Sequence, residues 1–223
     1  MKKGFLLVLT IISLSCLNKR ALFTEKELYD TDEIKATHNK IAILPVNYVF
    51  NKDGEMLIEK IFTSNDPTKA ITNQEDVGHR IQRILYEEFA AYHKEVVWMS
   101  DEKVNGKLNE KNINYEDLRR LSKAEIAKAL EVDAVIYCDI FVSSTKVNRV
   151  SAGPGIPSIP LNGTSGIYSD KVPKVEFTVE IHSGIEEDLL WKAKSVFNRD
   201  RFYVERSFRK VIKSDLSPIL PLN

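Results

Sequence analysis

Asp133-Ala134-Val135-Ile136-Tyr137-Cys138-Asp139-Ile140-Phe141-Val142 is the stretch that decides the fold. Successive residues of a strand face opposite sides, and apolar side chains here fall on both. A strand of that kind belongs in the middle of a sheet covered on each face, the arrangement of α/β proteins. Just upstream, Ser122-Lys123-Ala124-Glu125 has the capping-box pattern, a hydroxyl and a carboxylate three residues apart that satisfy two free helix amides. It starts a helix ending near Leu130, or else lies inside one helix running from Tyr115. Before it, Asp101 to Asn114 reads as a polar connection, and Glu95-Val96-Val97-Trp98-Met99 reads as a strand. Glu75 to Tyr92 gives the clearest helix, with Val77, Ile81, Ile84, Leu85, Phe89 and Tyr92 at spacings of three and four. Lys40-Ile41-Ala42-Ile43-Leu44-Pro45-Val46 is the first strand of the domain, with Pro45 near its end, where no ladder donor is needed. Asn51-Lys52-Asp53-Gly54 is turn chemistry, and a short strand at Met56–Phe62 is one reading of an ambiguous stretch.

Downstream, Val172–Ser183 alternates cleanly: Val175, Phe177, Val179 and Ile181 face one way, and Glu176, Thr178, Glu180 and His182 the other. Gly184 to Asp188 turns the chain, and Leu189 to Phe197 returns it as a β-hairpin. A last amphipathic helix spans about Tyr203 to Lys213. The order β-α-β-α-β-β-β-α predicts a single α/β domain over 40–223. Its central mixed sheet has four or five strands, flanking helices and a C-terminal β-hairpin plus helix. Composition agrees with one folded domain: 223 residues, 43% hydrophobic and 29% charged. The 32 basic side chains balance 32 acidic ones, which gives no general drive towards nucleic acid or acidic lipid.

The N-terminus reads as an address. Lys2 and Lys3 precede the apolar run Phe5–Ile12, and Ser13-Leu14-Ser15-Cys16 follows. A basic start, a short apolar stretch and a small residue before a cut site make an export signal over 1–15, too short for a membrane span. Ser15-Cys16 resembles the lipobox of bacterial lipoproteins, in which the cysteine becomes the acylated first residue; Ser13 stands where that motif usually has Leu. Several acyl chains anchor stably where one is marginal. Residues 16–39 are polar and mixed in charge, and read as the lipidated Cys16 and a flexible tether. With Cys16 acylated only Cys138 remains, so no internal disulfide forms.

Ile41-Ala42-Ile43-Leu44-Pro45, the long helix, and Ala127-Lys128-Ala129-Leu130-Glu131-Val132-Asp133-Ala134-Val135-Ile136-Tyr137 together resemble a group of envelope lipoproteins. The group includes the curli secretion-channel lipoprotein, the lipoprotein activators of penicillin-binding proteins, and the N-terminal domain of TolB. Leu190-Trp191 and Pro218-Ile219-Leu220-Pro221 are similar to its uncharacterised members. The chain departs from the pattern at Glu131 and Asp139, where Gly is usual. The resemblance implies an accessory or assembly role at the bacterial envelope, at its outer membrane, with no catalytic residues and no cofactor.

The residues themselves offer little catalytic chemistry. His38, His79, His93 and His182 have no metal-ligand spacing, and no GxSxG elbow, Walker loop, GxGxxG or CxxC occurs. Cys138 sits in a core-like strand, where a free cysteine acts as a small hydrophobe. Asp139 is costly in so apolar a strand unless paired or at an open end; Arg199, Arg201 or His182 could reach it. The segment Val150 to Ser169 contains four Gly, three Pro and no charged residue. It reads as a long loop, and Ile156, Ile159, Leu161, Ile167 and Tyr168 are its candidate partner contacts.

Three functions remain open on this reading. The first is a lipid-anchored envelope protein that binds other macromolecules without catalysis. The second is a subunit of a homo-oligomeric secretion assembly. The third is an envelope hydrolase or small-ligand binder centred on Asp139 and His182.

Overall fold

The computed structural model describes residues 24–27, 31–50, 74–150, 167–185, 188–197 and 205–222. The apolar stretch that opens the sequence argument is the first part of β5, Ala134–Val150. On one side of β5 run two short parallel strands in succession, β2 (Lys40–Ile43) and β3 (Asn47–Phe50). On its other side lies the antiparallel β6, Ile167–Ser183. The sheet continues through β7 (Leu189–Phe197) to the edge strand β1 (Thr24–Glu27), and through β2 to the other edge, β4 (Val97–Met99). The class is α/β with a mixed sheet, as expected, but the strands number seven. The additional ones are β1 and β3, each only four residues long.

Helices cover both faces of the central strands. Against one face packs α2 (Gln74–Tyr92), through Val77, Ile81, Leu85 and Phe89; α1 (Thr31–Thr37) adds Ile34 to the same core. The C-terminal α6 (Glu205–Val211) joins them with Phe208, and Ile212, Leu216 and Leu220 continue the contact. On the opposite face, Ala42, Leu44, Val135 and Tyr137 pack against α3 (Asp101–Glu110), α4 (Asp117–Arg120) and α5 (Lys123–Leu130). The α3 helix replaces the expected polar connection. Its sequence hides it because only Val104 and Leu108, four residues apart, reach the core, while Ser100 caps its start by accepting from the Lys103 amide. The capping box at Ser122 does begin its own helix, with both reciprocal hydrogen bonds at 3.1 Å. At the other end of α5, Glu131 is left-handed (φ 59°), which explains why Gly is usual there. Lys107 holds it by bonding its carboxylate and the Leu130 carbonyl.

Between β2 and β3 the strand breaks at Leu44-Pro45-Val46, and the break organises its surroundings. Pro45 brings no amide donor, and the Val46 amide donates to the Gly78 carbonyl of α2 at 3.2 Å. The Tyr115 hydroxyl donates to the Val46 carbonyl at 2.6 Å and accepts from the Tyr48 amide at 3.0 Å. One side chain thus satisfies backbone on both sides of the break. Gly78 is needed because a Cβ there would collide with the Val46 carbonyl oxygen and lie 2.9 Å from the Tyr115 ring.

Two sequence boundaries shift. The tether reading of 16–39 ends earlier, because Thr24–Glu27 pairs with β7 and the α1 helix docks. His38, buried after α1, reaches Ser183 of β6 at 2.9 Å. The loop reading of Val150–Ser169 also narrows. Val150 pairs with Ile167, Arg149 with Tyr168 and Asn148 with Ser169, so both flanks are strand. Among the described residues β3 reaches only Val142 and β7 only Val175. Beyond those rows, Ser143–Val150 and Ile167–Lys174 run on as a two-stranded ribbon about 27 Å long. Its inner part, Val172–Lys174, belongs to the strand expected from Val172, whereas Ser143–Arg149 has no apolar alternation to mark it. The expected Met56–Phe62 strand lies outside the described residues.

Replacing Gly78 by Ala is expected to destabilise the domain by about 2 kcal/mol through overpacking, although helix propensity alone favours Ala by roughly 1 kcal/mol. Tyr115→Phe is expected to cost about 1–3 kcal/mol, since it strands two backbone groups. Urea unfolding decides both; a Gly78→Ala protein more stable than its parent contradicts the close approach.

Candidate functional site

Where α3–α5 end, the sheet face they cover continues across β5, β6 and β7, and no helix among the described residues packs on that part of it. Register arranges its residues in rows. Tyr137, Glu180 and Lys192 form one row, which Lys26 of β1 extends. Asn47, Asp139, Thr178 and Lys194 form the next, and Phe141, Glu176 and Val196 the outermost. Phe141 and Val196 are 42% and 46% exposed, so the outer row carries two apolar side chains open to solvent.

Asp139 is half-buried in this face. Its Oδ1 accepts from the Asn47 side-chain amide and from the Tyr137 hydroxyl, the latter at 3.1 Å. The carboxylate therefore fastens β3 to β5, which is how a charge is accommodated in so apolar a strand. Lys123, at the start of α5, places its ammonium 4.1 Å from the Tyr137 ring centre and donates to the Leu118 carbonyl at 2.6 Å. Burial pushes the Lys123 pKa down, against the attraction of Asp139 and Glu180. Burial also pushes the Tyr137 hydroxyl up, with Asp139 adding to the shift. Cys138 points into the opposite core, fully buried, and burial raises its thiol well above the ordinary range; it is a packing residue.

Glu180 is the focus of the neighbouring row. His182 Nε2 lies 3.0 Å from Oε2, the ring nitrogen donating because a carboxylate only accepts, and Lys192 donates to Oε1 at 2.6 Å. The His182 hydrogen bond, opposed by burial and aided by Lys192, holds the Glu180 carboxyl down at about 2. Glu176 bridges Lys174 at 2.7 Å and Lys194 at 3.1 Å. The face is thus a lattice of paired opposite charges with an apolar outer row, suited to a partner surface of mixed polarity.

Asp139 and His182 lie on the same face, since Asp139 pairs with Thr178 and His182 with Val135. They do not converge: four residues of strand, about 13 Å, separate those rows, and each is bonded to different groups. Of the candidate partner contacts, Ile167 and Tyr168 stand at the far end of the ribbon, opposite Val150 and Arg149. Ile156, Ile159 and Leu161 lie outside the described residues, as do Cys16, Arg199 and Arg201. Two other histidines are structural. His93 is fully buried and bonds the Ser217 carbonyl at 3.0 Å, holding the C-terminal segment to the end of α2. His79 contacts Glu75 at 3.5 Å beside a recess of about 330 Å3 lined by Pro45, Asn105, Leu108 and Tyr115. Sequence reasoning missed Lys192 and Lys194, whose signal was their alternation opposite Glu176 and Glu180. Nothing local marks Lys123 as a lid over Tyr137. No group of three or more residues suited to a metal ion occurs among the described residues.

No protein-family model matches the chain, and no curated protein sequence matches it. Solved structures similar to it include lipoprotein GNA1162 from Neisseria meningitidis, 11% identical over 70% of this chain and 80% of that one, with a TM-score of 0.40. The PelC dodecamer from Paraburkholderia phytofirmans is 14% identical, covering 90% and 98%, with a TM-score of 0.41. The LpoB C-terminal domain from Salmonella enterica is 10% identical, covering 76% and 93%, with a TM-score of 0.38.

Because folding lowers the Glu180 pKa, its stabilisation is complete above the ordinary value of 4.5 and is lost as pH falls towards about 2. A Glu180→Gln variant is expected to be less stable at pH 7 by about 2 kcal/mol and to narrow that gap in acid. Urea midpoints across the range check it; a gap that stays constant down to pH 2 contradicts the assignment.

Proposed function

We propose that this chain is a lipid-anchored protein of the bacterial envelope, held at the outer membrane through acylated Cys16, which acts without catalysis or cofactor by binding an envelope protein. The observation that carries the reading is the leader, Lys2-Lys3, the apolar run Phe5–Ile12 and Ser15-Cys16, placed before a domain whose described residues start at Thr24. The lipid keeps the domain within reach of a membrane-associated partner and raises their effective concentration. The open sheet face supports a binding role: its glutamates Glu176 and Glu180 are already paired with lysines, and its outer row presents Phe141 and Val196. The separation of Asp139 from His182 removes the specific geometry on which the hydrolase reading rested.

Intact mass of the protein recovered from its native membrane is expected to match a chain starting at Cys16 plus diacylglyceryl and acyl groups, and Cys16→Ala is expected to leave the membrane fraction. An unacylated mass in the soluble fraction sinks the anchor. For the binding face, a photo-crosslinking residue in place of Phe141 is expected to give one discrete protein adduct in cells, reduced when Val196 is changed to Glu. An adduct pattern indifferent to Val196→Glu contradicts it.

A further inference from the structure

We propose that the ribbon formed by Ser143–Val150 and Ile167–Lys174 docks on the anionic surface of the bilayer that holds Cys16. The proposal rests on the anchor reading above and adds a second membrane contact to it. Three observations support it.

The first is strand direction. β1 is antiparallel to β7, which is antiparallel to β6, so β1 runs parallel to β6. Thr24 stands level with Lys194, and Lys194 with Thr178. The N-terminal end of β1 therefore faces the same way as the start of β6 at Ile167, the ribbon end. The second is reach. Cys16 precedes Thr24 by eight residues, at most about 28 Å of extended chain. Along β6 the ribbon end lies eleven residues beyond Thr178, about 37 Å. A bilayer on that side, close enough to hold Cys16, is within reach of the ribbon.

The third is charge. The ribbon carries Lys146, Arg149, Lys171 and Lys174 against the single acid Asp170, in a chain whose charges otherwise sum to the opposite sign. Lys174 is paired with Glu176 in the body of the sheet. Lys146 and Lys171 stand directly opposite each other in the register. Like charges at opposed positions destabilise a strand pair, and an anionic surface relieves the repulsion. Each basic residue near such a surface multiplies binding by about fivefold. A two-stranded ribbon is also marginal alone in water, so a surface to lie against favours it.

The test uses the full acylated protein in vesicles of phosphatidylcholine, alone or with phosphatidylglycerol, containing a lipid with a nitroxide headgroup. A fluorophore is placed at Ser169→Cys in the ribbon, or at Ile185→Cys, exposed at the opposite end of β6; the buried Cys138 is not labelled. Quenching at Ser169→Cys with phosphatidylglycerol is expected, with none at Ile185→Cys. Changing Lys146 and Lys171, which share one face of the ribbon, together to Gln is expected to lower the docked-to-free ratio on the order of 25-fold, with an unchanged urea midpoint. Equal quenching with and without phosphatidylglycerol overturns the proposal, as does quenching at Ile185→Cys alone. A Ser169→Cys label unquenched by lipid yet shielded from aqueous iodide means the ribbon lies on protein, and also overturns it. Intact mass separates the two readings: an unacylated native protein ends the anchor reading, whereas an acylated one with a free ribbon ends only this one.

Discussion

Everything in this domain hangs on β5. Along its inner half it is bonded on both sides, to β2 and β3 in succession and to β6 throughout, so it joins the parallel part of the sheet to the antiparallel part. Its residues up to Val142 are apolar on both faces, so a slip of one residue would exchange Ile136, Cys138 and Ile140 with Val135, Tyr137 and Asp139. That exchange would drive Asp139 into the α2 core. The carboxylate, awkward in isolation, thus helps to fix the register, and its bonds to Asn47 and Tyr137 tie β3 into place. Asp133, just before β5, extends the same logic by accepting from the Asn39 and Lys40 amides at 3.0 and 2.8 Å.

The same strand explains why the molecule has two unlike halves. Around its first four residues, Ala134 to Tyr137, both faces are covered, by α2 and the C-terminal segment on one side and by α3–α5 on the other. Towards β6 and β7 only the α2 side stays covered, and the open side carries acids and lysines in register. Further along, among the described residues, only the β5–β6 pairing persists. Polarity follows this gradient: apolar on both faces, then alternating, then predominantly polar and basic.

That gradient also sets what the sequence could disclose. Where burial was two-sided or alternating, as at Asp133–Val142 and Val175–Ile181, the elements and their facing were plain. The capping box at Ser122 marked a helix start because its chemistry is local. The α3 helix is hidden because two buried apolar residues in ten leave a faint period, and β1 because its four residues, Thr24-Glu25-Lys26-Glu27, are polar and pair with β7. Val150 and Ile167–Ser169, the ends of the ribbon, fall within the stretch whose Gly, Pro and lack of charge predict a loop, and Ser143–Arg149 continues β5 past the apolar run that marks it. Of the candidate site, Asp139 stood out as a misplaced charge. Lys192 and Lys194 emerge only when the register brings them beside Glu180 and Glu176, and Lys123 only when α5 docks over Tyr137.

Amide hydrogen exchange along β5 tests this account most directly. Amides of Ile136 to Val142 are expected to exchange only through global unfolding, those of Thr145 to Val150 at an intermediate rate set by opening of the ribbon, with β6 following the same gradient in reverse. Uniform protection along all of β5, or exchange of its inner half as fast as its outer half, would contradict the claim that one continuous strand passes from a two-sided core into a free-standing pair.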